Sequence, residues 1–370
     1  MSLFQIDTGR EWRGGQRQAL LLAREVRKRG YPLTFVVQPG SPLHEKAAAE
    51  NLPLLPVTVK GEADLRASLR ISRAMKRNGC VLAHFHDAHA VAVGGRASRW
   101  AQVPVRVISR RVDFPLKKNP FSRRKYARDI DLIIAISEGV RDVLLQGGIP
   151  PERIAVVPSG IDFSPFEENP DRCFLRREFG FAPDDYLVGI VAHLESHKVH
   201  AYLIEAARIL KSRAPKMKFI IVRKGSLELT LEEQARGLGV DDIVYFLGFR
   251  EDVPRILASL DLFVLSSYLE GLGSSIMDAM ASRLPVVATM VGGIPELVKD
   301  GETGLLVLPR DPASLADGIE RLHKDRALAR RLGDKGFEVV HRQFSAEAMA
   351  GRIIDQYEAL ASRKGLNLYA

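Results

Sequence analysis

Glu270 and Asp278 bracket the stretch EGLGSSIMDAM, two carboxylates with seven residues and a Gly-x-Gly between them. Gly271 and Gly273 precede a helix start expected near Ser274 or Ser275. Such a start leaves backbone N–H groups converging on one spot, and the absent side chains around Leu272 let a ligand come close. That suits a phosphate or diphosphate. Asp278, one turn inside the helix, is placed to accept hydrogen bonds from ribose hydroxyls. Glu270 lies ahead of the glycines, on the side where a group to be transferred would sit. The two acids then hold opposite ends of one nucleotide-sugar. The plainer alternative, a turn-capping Glu270 and a surface Asp278, leaves the Gly-x-Gly and the second glycine pair downstream unexplained.

Other residues capable of chemistry are weaker candidates. HFHDAHA sets His84, His86 and His89 around Asp87. Imidazole is a common metal ligand, but histidines two apart leaving a strand are expected on opposite faces, and no thiol or carboxylate cluster accompanies them. No metal site is expected. Asp129 and Asp131 form an Asp-x-Asp that opens a buried strand and reads as a strand boundary. Cys80 and Cys173 fit no metal spacing and read as buried thiols in a reducing compartment.

The elements that must position these residues fall into two series. The chain has 370 residues, 46% apolar and 27% charged, enough for two domains with separate cores. LFQI, LTFVV, a strand near Leu54, VLAHF, VRVIS, DLIIAIS and IAVVP alternate with helical stretches up to Pro158. The pattern restarts with YLVGIVAHL, then MKFIIVRKG, IVYFLGF, LDLFVLSS and LPVVATMVGG. Continuous apolar strands separated by helices imply parallel sheets covered on both faces. PSGIDFSPFEENPD reads as the connector, and Ser345 with Glu347 opens a last long helix. The expected fold is α/β, two Rossmann-like doubly wound domains facing a cleft: residues 1–165, 166–345, and a terminal helix 346–370 returning to the first. No apolar run reaches 18 residues and no leader pattern opens the chain, so neither a membrane span nor a secretory signal is expected.

The net charge of +9 is concentrated. Residues 106–128 carry nine Lys or Arg, among them Arg110, Arg111, Lys117, Lys118, Arg123 and Arg124, against the single acid Asp113. An anionic partner is expected there: a phosphorylated substrate or an acidic lipid surface. Nucleic acid is disfavoured, because the aromatics are too sparse to make stacking platforms.

EGLGSSIMDAMASRLPVVATMVGGIPELVKDGETGLLV resembles the signature of glycosyltransferase family 4, retaining enzymes of GT-B fold. WRGGQRQALLLARE, IIAISEGVRDVLL, VVPSGIDFSPF and VAHLESHKVHAYLIEAA extend the likeness over almost the whole chain, toward transferases of lipopolysaccharide and cell-surface polysaccharide. The resemblance implies the N-terminal half for the acceptor and the C-terminal half for the nucleotide-sugar. It implies that Lys198 reaches the donor diphosphate and stabilises the leaving charge. It gives Gly14 and Gly15 the loop near the donor's sugar and phosphate. It gives His86, with His84 as reserve, contact to the donor sugar near the reacting carbon. His193 stands where the family has arginine, so either His193 serves more weakly or Arg223 and Lys224 do. Val199 replaces a glycine, and Asp278 a commoner glutamate that reaches one methylene further.

The implied reaction moves a sugar from a UDP-, GDP- or ADP-sugar to a hydroxyl, retaining configuration, without metal or other cofactor, on a glycan or lipid-linked acceptor. The expected location is the cytoplasm, with the basic segment raising attachment to the inner face of the cytoplasmic membrane. A GT-B nucleotide-sugar epimerase and a binding relative without turnover remain as alternatives. A Rossmann dehydrogenase is excluded, since DTGREWRGGQ lacks Gly-x-Gly-x-x-Gly.

Overall fold

The computed structural model describes residues 2–115, 126, 130–167 and 171–368. The chain forms two units, Met1–Gly160 with Ala346–Ala370, and Ile161–Ser345. Each is an α/β unit around a parallel sheet.

Among the described residues, unit 1 holds seven strands: β1 (Ser2–Ile6), β2 (Leu33–Val37), β3 (Leu54–Pro56), β4 (Cys80–Phe85), β5 (Val105–Arg110), β6 (Leu132–Ala135) and β7 (Ile154–Val156). Their order is β3-β2-β1-β4-β5-β6-β7. The order reverses between β1 and β4, where Ile6 pairs with Phe85. A crevice opens at the carboxyl ends of strands at such a point. LTFVV and LIIA are almost wholly buried because helices cover both faces. The terminal helix Ala346–Arg363 packs on the helix Gly14–Lys28. Its Met349, Ile353, Tyr357 and Leu360, at three- and four-residue spacing, join Leu22, Phe35 and Val107 in one core.

Among the described residues, unit 2 holds six strands: β8 (Tyr186–Val191), β9 (Met217–Val222), β10 (Val244–Gly248), β11 (Leu262–Leu265), β12 (Val286–Thr289) and β13 (Leu305–Val307). Their order is β10-β9-β8-β11-β12-β13, reversing between β8 and β11. Several strands stop earlier than the sequence pattern implies. YLVGIVAHL contributes only Tyr186–Val191, and DLIIAIS only Leu132–Ala135. The polar residues at these carboxyl ends leave the sheet; Ser137 instead caps the helix Glu138–Gln146 by accepting from Val140 N at 3.1 Å.

Asp131 closes a strand start, its Oδ2 accepting from Arg106 N at 2.8 Å; Asp129 lies outside the described residues. Cys80 is buried, but Cys173 is exposed, at the start of the short helix Phe174–Phe179, where no core covers it. No described helix is long and apolar enough to cross a membrane.

Candidate functional site

In unit 2 the loops leaving β8 and β11 are laced together. Ser266 Oγ donates to the carbonyls of Lys198 at 3.0 Å and Val199 at 3.2 Å, and Tyr268 N donates to His197 O at 2.9 Å. This brings Lys198 Nζ onto Glu270 Oε2 as an ion pair, with the two side chains only 17% and 13% exposed. Ser267 Oγ also donates to Glu270 Oε2 at 3.3 Å, and Gly293 N donates to Glu270 O at 3.1 Å. The second glycine pair therefore braces the first acid. His193 is half-buried on the β8 loop, close in sequence to this pair.

Gly273 adopts φ 92° and ψ 58°, and the helix Ser274–Ala281 begins immediately after it with no side-chain cap. A left-handed turn of that kind suits glycine. Leu272 is buried beneath the tip, while Ser274 and Asp278 are half-buried on the helix. The expected helix start and the position of Asp278 one turn inside it are what the chain forms.

Two side chains here occupy backbone conformations that favour glycine. Val199 has φ 49° and Arg223 has φ 111°. A β-branched residue in the left-handed region is held against its preference. The surroundings impose it: Val199 is tied through its carbonyl to Ser266, and Arg223 N donates to Gly248 O at 2.7 Å. Arg223 lies over the Phe249 ring at 5.4 Å.

Unit 1 gathers a second cluster at the ends of β1, β4 and β5. Asp7, fully buried, accepts at Oδ1 from Gly9 N at 2.9 Å and from Gln16 Nε2 at 3.1 Å. Asp87 caps the helix Ala88–Trp100 and accepts from Thr8 Oγ1 at 2.9 Å. Gly14 and Gly15 open the helix Gly14–Lys28, and a Cβ on Gly15 would lie 3.9 Å from Arg111 Cδ. Arg111 Nη1 donates to His86 O at 3.1 Å and Nη2 to His86 Nδ1 at 3.0 Å. Since guanidinium only donates, His86 carries its hydrogen on Nε2. That Nε2 is buried and has no partner among the described residues.

The histidines do not diverge as the sequence reading held. The His84 and His86 rings lie 4.2 Å apart, because residues two apart on a strand share a face. His84 bonds Tyr357 Oη through Nδ1 and Ser109 Oγ through Nε2 at 2.9 Å, while His89 is exposed. Among the described residues no three His, Cys, Asp or Glu form a metal-binding group.

Of the basic segment, Arg111 turns into this cluster, whereas Arg110 donates to the carbonyls of Val112 and Phe114 and lies over Tyr126 at 5.8 Å. Lys117, Lys118, Arg123 and Arg124 lie outside the described residues. Asp7, Thr8, Gln16 and Tyr357 were not singled out from the sequence. The available signal was an acid directly following the apolar run LFQI.

Asp7 is pushed up to about 6, by burial first and then by the charge of Asp87. An unfolded aspartate titrates near 3.8. The contribution of Asp7 to stability is therefore present below about pH 4 and lost as pH rises through about 6. Burial holds His84 and His86 well below the usual histidine range, so theirs is present above pH 6.5 and lost as pH falls. Asp7→Asn isolates the first effect. Between about pH 4 and about pH 7 its unfolding free energy should gain about 2 kcal/mol on the wild type. Urea unfolding at the two pH values checks this, and a constant difference would mean that Asp7 is not a strained charge.

Family models match both units: Glycosyltransferase Family 4 over residues 12–164, and Glycosyl transferases group 1 over residues 171–339. Together they take in most of the chain. The chain belongs to glycosyltransferase family 4.

Among the relatives of this glycosyltransferase, EpsD of Bacillus subtilis is 35% identical over 50% of this chain and 48% of its own length. The chain thus matches about half of EpsD. The N-acetyl-alpha-D-glucosaminyl L-malate synthase of Bacillus anthracis is 25% identical over 92% of this chain and 91% of its own. HepE of Anabaena, crystallised in complex with UDP-glucose, is 23% identical and superposes with a TM-score of 0.87 over 97% of this chain and 100% of that one. This likeness shows that the family 4 chain has the GT-B fold.

Proposed function

We propose that this family 4 chain transfers a hexosyl group from a nucleoside-diphosphate donor to an acceptor hydroxyl with retention of configuration, in the synthesis of a cell-envelope glycan. The observation that carries the reading is the Lys198–Glu270 pair beside the left-handed Gly273 turn, at the strand-order reversal of unit 2. A cation and an uncapped helix start are both suited to a diphosphate. Glu270, touching Lys198, lies where the sugar joins that diphosphate, and Asp278 lies one turn away for the ribose. His193, or Arg223 with Lys224, takes the place of the family's arginine; Arg223 lies over the Phe249 ring at 5.4 Å.

The glycosidic C–O bond to the donor phosphate breaks as the acceptor oxygen bonds the same face of the anomeric carbon. The acceptor's proton passes to the departing phosphate oxygen, so the products are the glycoside and a nucleoside diphosphate. Lys198 opposes the charge that develops on that oxygen. In unit 1, His86 Nε2–H is a donor for a sugar hydroxyl, and Gly14 and Gly15 leave room for a ligand. No metal is assigned a step. The malate synthase's name carries a dicarboxylate acceptor, and HepE binds UDP-glucose. These support an anionic acceptor, met by Arg110, Arg111 and the following basic segment, and a uridine donor.

Incubation with UDP-, GDP- and ADP-sugars, with and without L-malate and lipid-linked glycans, tests the proposal. Acceptor-dependent release of nucleoside diphosphate with a retained anomer is expected. An isomerised nucleotide-sugar formed without acceptor would make the chain an epimerase, and binding without turnover would make it a sensor.

A further inference from the structure

The helix Leu65–Arg77 of unit 1 divides cleanly around its axis. Ala67, Ser68, Ile71, Ser72, Ala74 and Met75 are buried. The other seven residues are exposed and occupy an arc of about 140° at 100° per residue. That arc holds Arg66, Arg70, Arg73, Lys76 and Arg77, with Leu65 and Leu69 at one margin, and no acid. On other helices some basic residues are paired with acids, as in Lys324–Glu320, Arg141–Glu138 and Lys335–Glu338. None of these five cations makes an ion pair among the described residues. Asp64, the nearest acid, is committed to the helix end, accepting from Ala67 N at 2.9 Å and Lys60 N at 3.1 Å.

The apolar margin is the second observation. Leu65 and Leu69 are 58% and 43% exposed. Arg96 on the neighbouring helix Ala88–Trp100 donates to Ser68 Oγ at 3.0 Å and to Glu62 O at 3.1 Å. We propose that this face docks on an anionic lipid bilayer, the arginines meeting headgroup phosphates and Leu65 and Leu69 entering the headgroup boundary. Nucleic acid would match the charge but leave the leucines in water, whereas an interfacial helix uses both. Each cation near an anionic surface strengthens attraction, and salt weakens it. The surface is separate from the residues assigned to the donor.

Co-sedimentation with vesicles rich in phosphatidylglycerol, against phosphatidylcholine alone, tests the proposal. The wild type should pellet only with the anionic vesicles. The triple variant Arg66→Gln, Arg70→Gln, Arg73→Gln should bind roughly a hundredfold more weakly. Leu65→Ser with Leu69→Ser should bind roughly tenfold more weakly, and that loss should persist in high salt. All five positions are exposed, so melting temperature and donor hydrolysis should be unchanged, which separates this test from that of sugar transfer. Wild-type binding by both variants overturns the proposal, as does equal pelleting with phosphatidylcholine. Loss confined to a parallel variant of Lys117, Lys118, Arg123 and Arg124 overturns it too, moving the contact to that segment. Tighter binding to duplex RNA than to vesicles would also overturn it.

Discussion

Lys198→Met is expected to lower the rate of sugar transfer by roughly a hundred- to a thousandfold, the usual cost of removing one group that stabilises a developing oxyanion. The same substitution has a structural cost that must be separated from the chemical one. Glu270 is only 13% exposed, and loses its cation. Breaking such a pair from one side leaves an uncompensated charge, at a cost of about 2 kcal/mol for a partly buried site. Lys198→Met with Glu270→Gln removes both charges, so the double variant should regain most of the lost melting temperature. It should not regain affinity for nucleoside diphosphate, because the cation is still missing. If affinity returned with stability, Lys198 would be a packing residue and the diphosphate would be held elsewhere. Thermal unfolding with and without nucleotide reads both effects in one experiment, since a ligand of the native state raises the melting temperature.

Gly225→Ala should be the most damaging single-methyl addition near the site. A Cβ there would lie 2.4 Å from Leu194 O and 2.6 Å from Leu194 C and N. These are backbone atoms, so no side-chain rotation relieves the overlap. Leu194 is also fixed from both directions: its N donates to Lys224 O at 3.2 Å, and its O accepts from Leu227 N at 3.1 Å. Accommodating the methyl means moving the loop that carries His193 and Lys198. A loss of about 3 kcal/mol is expected, the upper part of the range for overpacking. It should come with weakened nucleotide binding, although Gly225 carries no polar side chain. Urea unfolding and nucleotide titration check the two parts. A variant as stable as the wild type would show that the approach of residues 194 and 225 is looser than described.

The architecture was legible because parallel strands buried on both faces are short apolar runs, and LTFVV or LFVL can hardly be anything else. The helix tip at Gly273 was legible for a related reason, since Gly-x-Gly between a strand and a helix has few structural uses. The unit 1 cluster was not. Its members come from residues 7, 16, 86–87, 111 and 357, so no local spacing announces it, and only the order of strands brings them together. Arg111 was hidden further by its neighbours. Within a basic run it reads as solvated, yet at the end of β5 it turns inward while Arg110 stays outside. Val199 and Arg223 show the converse. The resemblance marks Val199 as a departure from glycine, but the left-handed backbone of both residues is maintained by hydrogen bonds with distant residues.

The account turns on where the diphosphate binds. A crystal structure of the chain with a nucleoside diphosphate or nucleotide-sugar decides this directly. The expected result places the phosphates against Lys198 Nζ and the backbone amides that follow Gly273, with the ribose toward Asp278. Phosphates bound beside Asp7 and Arg111 instead, with the Lys198–Glu270 pair untouched, would contradict it.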